Sequence, residues 1–475
     1  MQRKTKIICT IGPAVDTREK LMDLARCGMN VARLNFSHGN HENFQRVIQD
    51  LRSIEEELGE PIGILGDIQG PKIRVGTLKN KTLQLREGES VWMTSDEHTD
   101  DENVITSTYK DLCKDVSVGQ FVLLDDGLLR LKIVEKSGGR LKAVVVNGGT
   151  LLEHKGISVP EASFSVHSIT EKDYSDILFC VKAKVDFIAL SFVRSAQEVR
   201  HIKQFVQSRE TAIKIISKVE KREALECLEE IIDASDGILV ARGDLAVEVG
   251  NPRVPVLQKK IVRRCNLKAK PVIIATQMLM SMVENPQPTR AEASDVANAI
   301  LDGADAIMLS NETAVGRYPL EAVKMMNQIA VEIEAEPRGQ AILYNEWELN
   351  ADGEMAIALL QSAVRLASIL QARAIVVMTR SGYSSQLISK CRAACRVISV
   401  TSNFETYRQL SMHWGVEAIL VHSLKELSSE ASPLNELGDV LIDCKKLIRG
   451  DRVVFTAGLP EPTELPTNTI KVWQL

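Results

Sequence analysis

The sequence lacks the features of membrane-spanning and disulfide-rich secreted proteins. No uninterrupted apolar run reaches about 18 residues, so no transmembrane helix is expected. The N-terminal stretch MQRKTKIICTIGP has a basic start but no apolar segment of roughly 7–15 residues before a cleavage site, so no signal peptide is expected. The nine cysteines are dispersed without a CxxC pair. They indicate free thiols in a cytoplasmic protein, with Cys391 and Cys395 as packing residues.

A large charge imbalance and the common phosphate-binding motifs are also missing. The formal net charge is -5 and the pI is about 6.0, which gives no general attraction to nucleic acid or to membrane surfaces. Neither a GxxxxGK followed by Ser or Thr nor a GxGxxG after a strand occurs, so a nucleotide would not bind through a P-loop or a Rossmann turn. What is present is an ordinary globular composition over 475 residues, a length that suggests about three domains.

Eight short, continuous and β-branched apolar runs indicate strands that are covered on both faces. Helical patterns lie between most of them, and Gly or Asn often closes a helix before the next strand. Eight strands that alternate with helices predict an α/β fold, a (β/α)8 barrel. The runs are IICTIG (7–12), VARLNF (31–36), IGILGD (62–67), FIALSFV (187–193), KIISKVE (214–220), GILVARGD (237–244), VIIATQM (272–278) and AIMLSNE (306–312).

Two further segments have patterns of their own. Residues 72–167 alternate polar and apolar residues between Gly-rich turns, which predicts an inserted, β-barrel-like domain that acts as a lid. From residue 341, a helical stretch and five strand-like runs predict an open α/β domain. The predicted division is a catalytic barrel from 1–71 and 168–340, a β lid from 72–167 and a C-terminal regulatory domain from 341–475.

Polar side chains stand at the carboxyl ends of the predicted barrel strands, where active sites of this fold form. Buried polar groups need partners, so their number implies either a dense ion-pair network or a ligand. They are Arg33, Asn35, Ser37 and His38 after the second strand, Asp67 after the third, Lys218 and Glu220 after the fifth, Arg242, Gly243 and Asp244 after the sixth, Thr276 and Gln277 after the seventh, and Ser310 and Glu312 after the eighth.

Two of these carboxylates could hold a metal ion. Glu220 and Asp244 come from neighbouring strands and could bind a hard cation such as Mg2+ or Mn2+ through few protein ligands. The alternative is that they only form ion pairs with Lys218 and Arg242. Lys218 could act as a Schiff-base amine or as a point charge for a developing anion, and a neighbouring divalent cation would favour the second role.

The segment GDIQGPKIR (66–74) places one carboxylate and two cations around a Gly-Pro turn, namely Asp67, Lys72 and Arg74. Two cations at the end of a buried strand indicate an anionic ligand. Arg33 and Arg74 suit phosphate because a guanidinium matches its oxygens in pairs, although each is also a common structural residue. Gly243 would let a ligand approach the backbone, which is a weak signal for a single glycine.

Ten stretches of the chain together resemble the pyruvate kinase family. The resemblance implies a barrel with an inserted lid and a C-terminal α/β domain. It also implies a glycolytic phosphotransferase that moves the phosphoryl group of phosphoenolpyruvate to ADP and gives pyruvate and ATP. The stretches are KIICTIGP, MNVARLNFSHG, GDIQGPKIR, DDGLL, HKGISVP, LSFVRS, SKVE, ILVARGDLAVE, ATQMLMSM and LSNETAVGRYP.

The resemblance further implies roles for individual residues. Glu220 and Asp244 match the family's divalent-metal ligands, and Lys218 matches its charge-stabilising lysine. Protonation of the product enolate would occur near Thr276, through water. The positions that match phosphoenolpyruvate-binding residues are Arg33, Lys218, Gly243, Asp244 and Thr276. The positions that match nucleotide or monovalent-cation residues are Asn35, Ser37, His38, Arg74 and Lys155, with Asp126 on the lid for the metal of the nucleotide.

One departure from the family concerns K+. Many members bind K+ at positions that match Asn35, Ser37 and Asp67, with a threonine after the aspartate and a glutamate where this chain has Lys72. Ile68 replaces that threonine here, so both changes remove oxygen or negative charge. The ammonium of Lys72 could supply the charge of K+, and we expect an enzyme that is independent of K+. The alternative is a local ion pair of Lys72 with Asp67 or a lid residue.

The C-terminal domain contains a stretch, MTRSGYSS (378–385), that resembles the family's effector loop. A phosphorylated effector could bind there before a helix N-terminus, although a plain Ser/Gly turn is the alternative. The last loop, AGLPEPTELPTN (457–468), is acidic and favours a monophosphate such as AMP or a sugar monophosphate over a bisphosphate. A homotetramer is expected from the resemblance alone. The candidate effector residues are Thr379, Ser381, Gly382 and Ser384.

Two other functions stay open at this point. Another Mg2+-dependent barrel enzyme that forms a pyruvate enolate, such as an aldolase or lyase, would share the lysine and the two carboxylates. It would not need a lid that offers Arg74, Asp126 and Lys155 to a nucleotide. A regulatory, non-catalytic relative would be expected to lack a metal ligand or the lysine, and this chain retains all three.

Overall fold

The computed structural model describes residues 3–162, 164, 169–336, 347–349, 351–421, 433–458 and 467–475. Its strands fall into four sheets, and its helices flank the barrel and the C-terminal sheet. Within those residues the strands are, in chain order, β1 (Lys6–Ile11), β2 (Val31–Asn35), β3 (Gly63–Ile68), β4 (Thr82–Leu85), β5 (Ser90–Thr94), β6 (Val104–Ile105), β7 (Phe121–Leu124), β8 (Leu129–Ser137), β9 (Arg140–Asn147), β10 (Gly149–Leu152), β11 (Ile157–Ser158), β12 (Phe187–Leu190), β13 (Lys214–Val219), β14 (Gly237–Ala241), β15 (Val272–Ala275), β16 (Ala306–Leu309), β17 (Ala374–Met378), β18 (Arg396–Thr401), β19 (Val416–Leu420), β20 (Arg452–Ala457) and β21 (Thr469–Gln474).

The helices begin and end at recognisable capping residues. Thr170, Ser195 and Thr289 each form a capping box at a helix start. As the sequence predicts, glycine closes several helices, for example Gly28 with φ 118° and Gly59 with φ 65°. The helices are α1 (Arg18–Cys27), α2 (His41–Leu58), α3 (Leu112–Asp115), α4 (Glu171–Lys182), α5 (Ala196–Gln207), α6 (Arg222–Glu226), α7 (Leu228–Ala234), α8 (Arg242–Val249), α9 (Val254–Leu267), α10 (Arg290–Asp302), α11 (Asn311–Ala314), α12 (Pro319–Ala335), α13 (Ala351–Ile369), α14 (Tyr383–Lys390), α15 (Phe404–Gln409) and α16 (Pro433–Asp443).

Eight parallel strands close into a barrel in the order β1-β16-β15-β14-β13-β12-β3-β2. This confirms the predicted (β/α)8 fold and all eight of its strands. Parallel pairing brings every carboxyl end to the same mouth of the barrel; Asn35 of β2, for instance, is in register with Asp67 of β3. The polar residues that follow the strands in the sequence therefore form a ring around one opening of the barrel.

The barrel is filled by side chains and is not a channel. Its interior contains a cluster of buried apolar residues from alternating strand positions, including Ile8, Leu65 and Leu239. Met412 from the C-terminal domain joins the same cluster. A larger apolar layer lies between the strands and the surrounding helices. Packing on both faces explains why the strands appear in the sequence as unbroken apolar runs.

Several predicted strands are shorter than their apolar runs. β14 ends at Ala241, so Arg242, Gly243 and Asp244 lie in the first turn of α8 and not on a strand. β12 ends at Leu190, and β15 ends at Ala275. The residues directly beyond these ends, Ser191, Arg242 and Thr276, are buried or partly buried, whereas Gln277 is exposed.

The inserted segment forms a two-stranded sheet, β10-β4, and a six-stranded sheet, β11-β7-β8-β9-β5-β6. A separate apolar cluster fills it, with Val75, Leu131 and Leu141 among its members. The insert has its own core, as a lid domain requires. The predicted boundary at 167/168 lies outside the described residues, so the domain limits stay a prediction.

The C-terminal part contains an open five-stranded sheet in the order β19-β18-β17-β20-β21. Four strands are parallel and β21 is antiparallel to β20. This confirms the predicted open α/β domain, while its predicted start at residue 341 lies outside the described residues. In the part of the chain that the structure describes, no helix is long and apolar enough to cross a membrane.

All nine cysteines are free, as the sequence predicts. Cys391 is buried in the core of the C-terminal domain, and Cys395 packs against that core. Both are packing residues.

Candidate active site

A cleft between the carboxyl mouth of the barrel and the lid brings candidate residues from both domains together. Lys72, Asp126, Glu220 and Asp244 all line it. Lys72 and Asp244, which are 172 positions apart in the chain, thus face one space. A cleft with convergent polar groups is the expected form of an active site.

Lys218 is the centre of the polar network at the barrel mouth. Its Nζ lies 3.1 Å from Asp67 Oδ1 and 3.0 Å from Glu220 Oε1, and it donates to Ser191 Oγ at 2.7 Å. Burial disfavours its charged form, but Asp67 and Glu220 outweigh burial and raise the pKa of the Lys218 ammonium above its usual value. Lys218 is therefore a fixed positive charge, not a neutral amine ready to form a Schiff base.

Asp67 is shared between two cations inside the barrel. Arg33 Nε donates to Asp67 Oδ2 at 2.7 Å, and Arg33 Nη1 donates to Thr10 Oγ1 at 2.9 Å. Burial opposes ionisation of Asp67, but Lys218 and Arg33 together hold its pKa below the usual range. Asp67 therefore orients Arg33 and Lys218 toward the mouth.

Glu220 and Asp244 lie close enough to influence one another. Glu220 is buried, and its Oε2 accepts from the backbone N–H of Phe192 at 2.8 Å. Burial raises the pKa of Glu220, the charge of Lys218 opposes this, and the charge of Asp244 adds to it. Asp244 is more open, and Lys72 Nζ lies 3.5 Å from its Oδ1.

This pair of carboxylates fits a divalent cation. Among the described residues no group of three or more His, Cys, Asp or Glu could hold a metal ion. Mg2+ commonly binds through one or two carboxylates and keeps its other positions for water and substrate oxygens. The mutual repulsion of Glu220 and Asp244 is what such a cation would relieve. The sequence left open that Glu220 and Asp244 only form ion pairs with Lys218 and Arg242. Glu220 does pair with Lys218, but Arg242 pairs with Asp295 at 2.7 Å and not with Asp244.

Thr276 has a strained backbone next to Gly243. Its φ is 74°, which is a true outlier for a β-branched residue. Three hydrogen bonds hold this geometry: Gly243 N–H donates to Thr276 Oγ1 at 2.9 Å, Oγ1 donates to the Ala275 carbonyl at 2.6 Å, and Arg242 Nη2 donates to the Thr276 carbonyl at 2.7 Å. A Cβ on Gly243 would meet Thr276 only at ordinary contact distance, 3.7 Å. Packing alone therefore does not require glycine here, which leaves the approach of a ligand as a reason for it.

The cations of GDIQGPKIR separate in space. Lys72 contacts Asp244, whereas Arg74 Nη1 donates to the carbonyl of His154 on the lid at 3.0 Å. Burial lowers the pKa of His38, and the charges of Arg74, Arg33 and Lys72 lower it further. The charge of Lys72 thus contributes to the lowered pKa of His38, after the end of β2. The ion pair of Lys72 is with Asp244, and not with Asp67 or a lid residue as the sequence alternative proposed.

Of the remaining nucleotide candidates, Asp126 lines the cleft, whereas Asn35, Ser37, His38, Arg74 and Lys155 are not among its lining residues. Asn35 Oδ1 accepts from the backbone N–H of Ser37 at 3.1 Å, which shapes the turn after β2. On the lid, Lys155 pairs with Asp125 at 2.8 Å. Asp126 is exposed, with φ 56°, and points out of a tight turn between β7 and β8. The structure therefore brings Lys155 and Asp126 to one lid edge that faces the barrel mouth.

Sequence reasoning missed two residues that position the site. Ser191 accepts from Lys218 and donates to the Ile68 carbonyl at 2.6 Å. Phe192, with φ 55°, turns its N–H toward Glu220. Both lie in the LSFVRS stretch, and the polar residue directly after the FIAL strand was the available signal.

The candidate effector residues lie at the start of α14, far along the chain from the barrel mouth. Thr379 Oγ1 accepts from the Gly382 N–H at 3.0 Å, and Gly382 has φ 84° immediately before the helix. Ser381 is exposed, and the Ser384 and Thr467 hydroxyls lie 2.5 Å apart. Thr467 stands at the end of the acidic loop, whose residues 459–466 lie outside the described part of the chain.

Comparison with known proteins decides the family. Residues 2–323 match the model for the barrel domain of pyruvate kinase, and residues 357–473 match the model for its alpha/beta domain. The chain belongs to the pyruvate kinase family. A pyruvate kinase from Geobacillus stearothermophilus is 44% identical over 479 residues, which covers 99% of this chain and 80% of that protein. Pyruvate kinases from Staphylococcus epidermidis and Sporosarcina psychrophila are each 42% identical, with the same coverage.

Proposed function

We propose that this protein is a phosphotransferase that moves the phosphoryl group of phosphoenolpyruvate to ADP, giving pyruvate and ATP. The observation that carries the proposal is the buried ammonium of Lys218, held between Asp67, Glu220 and Ser191 next to a second carboxylate, Asp244. The curated relatives bear the name pyruvate kinase along nearly the whole chain, which supports the same reaction here.

The chain's own residues would act mainly by positioning and by neutralising charge, since phosphoryl transfer needs little covalent help. Arg33 and Lys218 point from a shared anchor, Asp67, toward the mouth of the barrel. They would bind the phosphoryl oxygens of phosphoenolpyruvate and stabilise the charge that spreads over them during transfer. Mg2+ or Mn2+ between Glu220 and Asp244 would supply Lewis-acid polarisation of substrate oxygens when bound.

Loss of the phosphoryl group leaves the enolate of pyruvate, whose oxygen carries negative charge. Lys218 would stabilise that charge as a point charge, because its neighbours keep it protonated. The enolate must then gain a proton on its methylene carbon. Thr276 would orient a water molecule for this step, since a hydroxyl alone is a poor acid at neutral pH.

The nucleotide would bind on the side of the cleft formed by β2 and the lid. Asn35 ends β2 and Ser37 and His38 follow it, while Arg74, Lys155 and Asp126 belong to the inserted segment. Guanidinium and ammonium groups are the usual partners of diphosphate oxygens. Closure of the lid over ADP would exclude water and limit hydrolysis of phosphoenolpyruvate.

The products distinguish this proposal from its rivals. The protein is incubated with phosphoenolpyruvate and Mg2+, with and without ADP, and pyruvate and ATP are measured separately. A kinase forms both in equal amounts and only with ADP. Pyruvate formed without ADP would indicate a lyase or a phosphatase, and no product at all would indicate a non-catalytic relative.

The reaction is further proposed to be independent of K+, with Lys72 as the internal cation. Support comes from the sequence, where Ile68 and Lys72 replace the threonine and glutamate of many family members, and from the place of the Lys72 ammonium in the cleft, 3.5 Å from Asp244 Oδ1. The test is Lys72→Glu, which restores the glutamate found in many family members. This variant should need KCl for activity, whereas Lys79→Glu on the exposed lid surface should not. Equal activity of Lys72→Glu with and without KCl would exclude the idea.

Regulation by a phosphorylated metabolite is a further part of the proposal. The hydroxyls and the glycine before α14 would hold a phosphate at the helix N-terminus. The acidic last loop favours AMP or a sugar monophosphate, and a homotetramer is the expected assembly. Activation by AMP that is lost in Ser384→Ala would support this site, and unchanged activation would exclude it. The nine free thiols support a reducing compartment.

A further inference from the structure

Glu248 is a buried carboxylate in the cleft that the proposed mechanism does not use. It lies on α8 one turn after Asp244, on the same face of the helix. Only 4% of its side chain is exposed, and it lines the cleft between barrel and lid. A buried carboxylate is costly unless it is paired, so its partners indicate why it is there.

One partner of Glu248 belongs to the barrel and is the next residue in the chain after Glu220, a proposed metal ligand. Lys221 Nζ lies 2.6 Å from Glu248 Oε1 and follows Glu220 directly in the chain. The same ammonium lies 5.9 Å from the ring of Phe192, whose backbone N–H binds Glu220. Through Lys221, Glu248 therefore stabilises the position of the segment that carries Glu220. It has no proposed contact with phosphoenolpyruvate or ADP.

The other partner belongs to the lid. Ser158 Oγ donates to Glu248 Oε1 at 2.9 Å, so one carboxylate oxygen receives a barrel cation and a lid hydroxyl together. Ser158 is in β11, which pairs with β7 through Ser158 and Leu123.

The strand that Ser158 anchors is tied to the nucleotide candidates. The Asp125 N–H donates to the Gly156 carbonyl at 3.1 Å, and Lys155 pairs with Asp125. Asp126 follows in the same turn. The contact of Ser158 with α8 therefore positions the lid edge that carries Lys155 and Asp126. It sets where this edge lies relative to the two carboxylates of the barrel mouth, Glu220 and Asp244.

We infer that Glu248 is a positioning residue that sets the lid in register with α8, so that the lid edge with Lys155 and Asp126 faces the metal and phosphoenolpyruvate side. The inference rests on the proposed function, because it assigns the lid edge to ADP. A purely structural ion pair would not distinguish the two substrates. If Glu248 positions the lid, loss of the Ser158 contact should change KM for ADP more than KM for phosphoenolpyruvate.

The first test removes only the lid side of the contact. Ser158→Ala should raise KM for ADP about tenfold, since a hydrogen bond to a charged group is worth roughly that factor, and should change KM for phosphoenolpyruvate much less. Ser158→Thr keeps the hydroxyl and should restore the wild-type value. Ser137→Ala, on an exposed lid strand end, is the matched control and should behave as wild type.

The second test measures the contact without any turnover. Hydrogen exchange of the full-length protein without substrates should be faster in β11 and in the turn at 125–127 for Ser158→Ala than for Ser137→Ala. In a Glu248→Ala background, adding Ser158→Ala should have no further effect on exchange or on KM for ADP, because the acceptor is already gone.

The outcomes separate this inference from the proposed function. Equal exchange and equal KM for ADP in Ser158→Ala and Ser137→Ala would overturn the role of Glu248, even in a fully active kinase. Additive effects of the two substitutions would also overturn it. Faster exchange in a protein that makes no ATP would support the contact as a register for the lid and remove the kinase reaction from the account.

Discussion

Lys218 is a buried residue whose surroundings keep it charged. Its ammonium lies about equally far from Asp67 and Glu220, at 3.1 and 3.0 Å. We expect Lys218→Met to lower kcat about a thousandfold, because one positioned donor can be worth that much to a developing anion. Asp67 would keep Arg33 as its partner, so the chain should still fold, which circular dichroism can check. Lys214→Met, at the opposite end of β13, is the control, and equal kcat values for the two variants would contradict this role.

Thr276 combines a strained backbone with a hydroxyl that the proposed proton step needs. The strain costs about 1–3 kcal/mol, so something other than stability must maintain it. Thr276→Ala should slow exchange of the pyruvate methyl protons with solvent by about a hundredfold, whereas Thr276→Ser should keep most of the rate. Proton NMR in deuterium oxide follows this step without phosphoryl transfer. Equal exchange in the alanine and serine variants would exclude the hydroxyl from the step.

His413 makes stability depend on pH. Burial lowers its pKa from 6.5 to about 3; Asp305 opposes this shift, while Lys390, Lys6 and Lys214 reinforce it. The unfolded chain therefore binds a proton below about pH 6.5 that the folded chain refuses, and stability falls as the pH decreases. Between about pH 7 and pH 5 this residue should cost about 2 kcal/mol.

Urea denaturation of wild type and His413→Gln at the two pH values tests this dependence. The variant should lose about 2 kcal/mol less free energy of unfolding over the interval. Trp414, the next residue, offers a local fluorescence signal. Parallel losses in both proteins would mean that other groups cause the pH dependence.

At the scale of elements, α14 connects the candidate effector loop to the base of the barrel. Lys390 at its end is fully buried, pairs with Asp305 and donates to Asn266 Oδ1 at 2.8 Å. Lys390→Met would leave Asp305 with Arg392, 3.1 Å away, as its one cationic partner among the described residues. Breaking a buried pair from one side should lower the free energy of unfolding by about 3 kcal/mol.

An exposed ion pair provides the control for this substitution. Arg18 and Glu57 are 3.0 Å apart, but nearly half of each side chain is exposed. Arg18→Met should therefore cost less than about 1 kcal/mol in the same urea titration. Similar losses for the two variants would show that the Lys390 pair is no stronger than a surface contact.

The elements also show what a sequence can and cannot reveal. The eight barrel strands were predictable because burial on both faces makes each one an unbroken apolar run. The strand ends were harder to predict, because the apolar pattern of GILVARGD does not mark where strand pairing stops. Gly243 and Asp244 lie in the first turn of a helix and not on the strand. Ser191 was missed because one serine directly after an apolar strand is only a weak signal of a site residue.

For the whole molecule, contacts between domains were the part that could not be predicted. Lys72 pairs with Asp244, and Lys390 with Asp305, across large separations in the chain. Such pairs depend on how the lid and the C-terminal sheet sit against the barrel, which no local pattern records. The predicted set of charged residues at the barrel mouth needed only the fold, since parallel strands bring their ends together.

Lys72 is proposed to supply the monovalent charge in this member of the pyruvate kinase family. The most direct test is the initial rate of pyruvate formation from phosphoenolpyruvate, ADP and Mg2+ in a buffer free of K+, measured again after KCl is added at constant ionic strength. We expect the full rate without K+ and no increase with KCl. A rate that appears only with KCl would contradict it and leave Lys72 as no more than the ion-pair partner of Asp244.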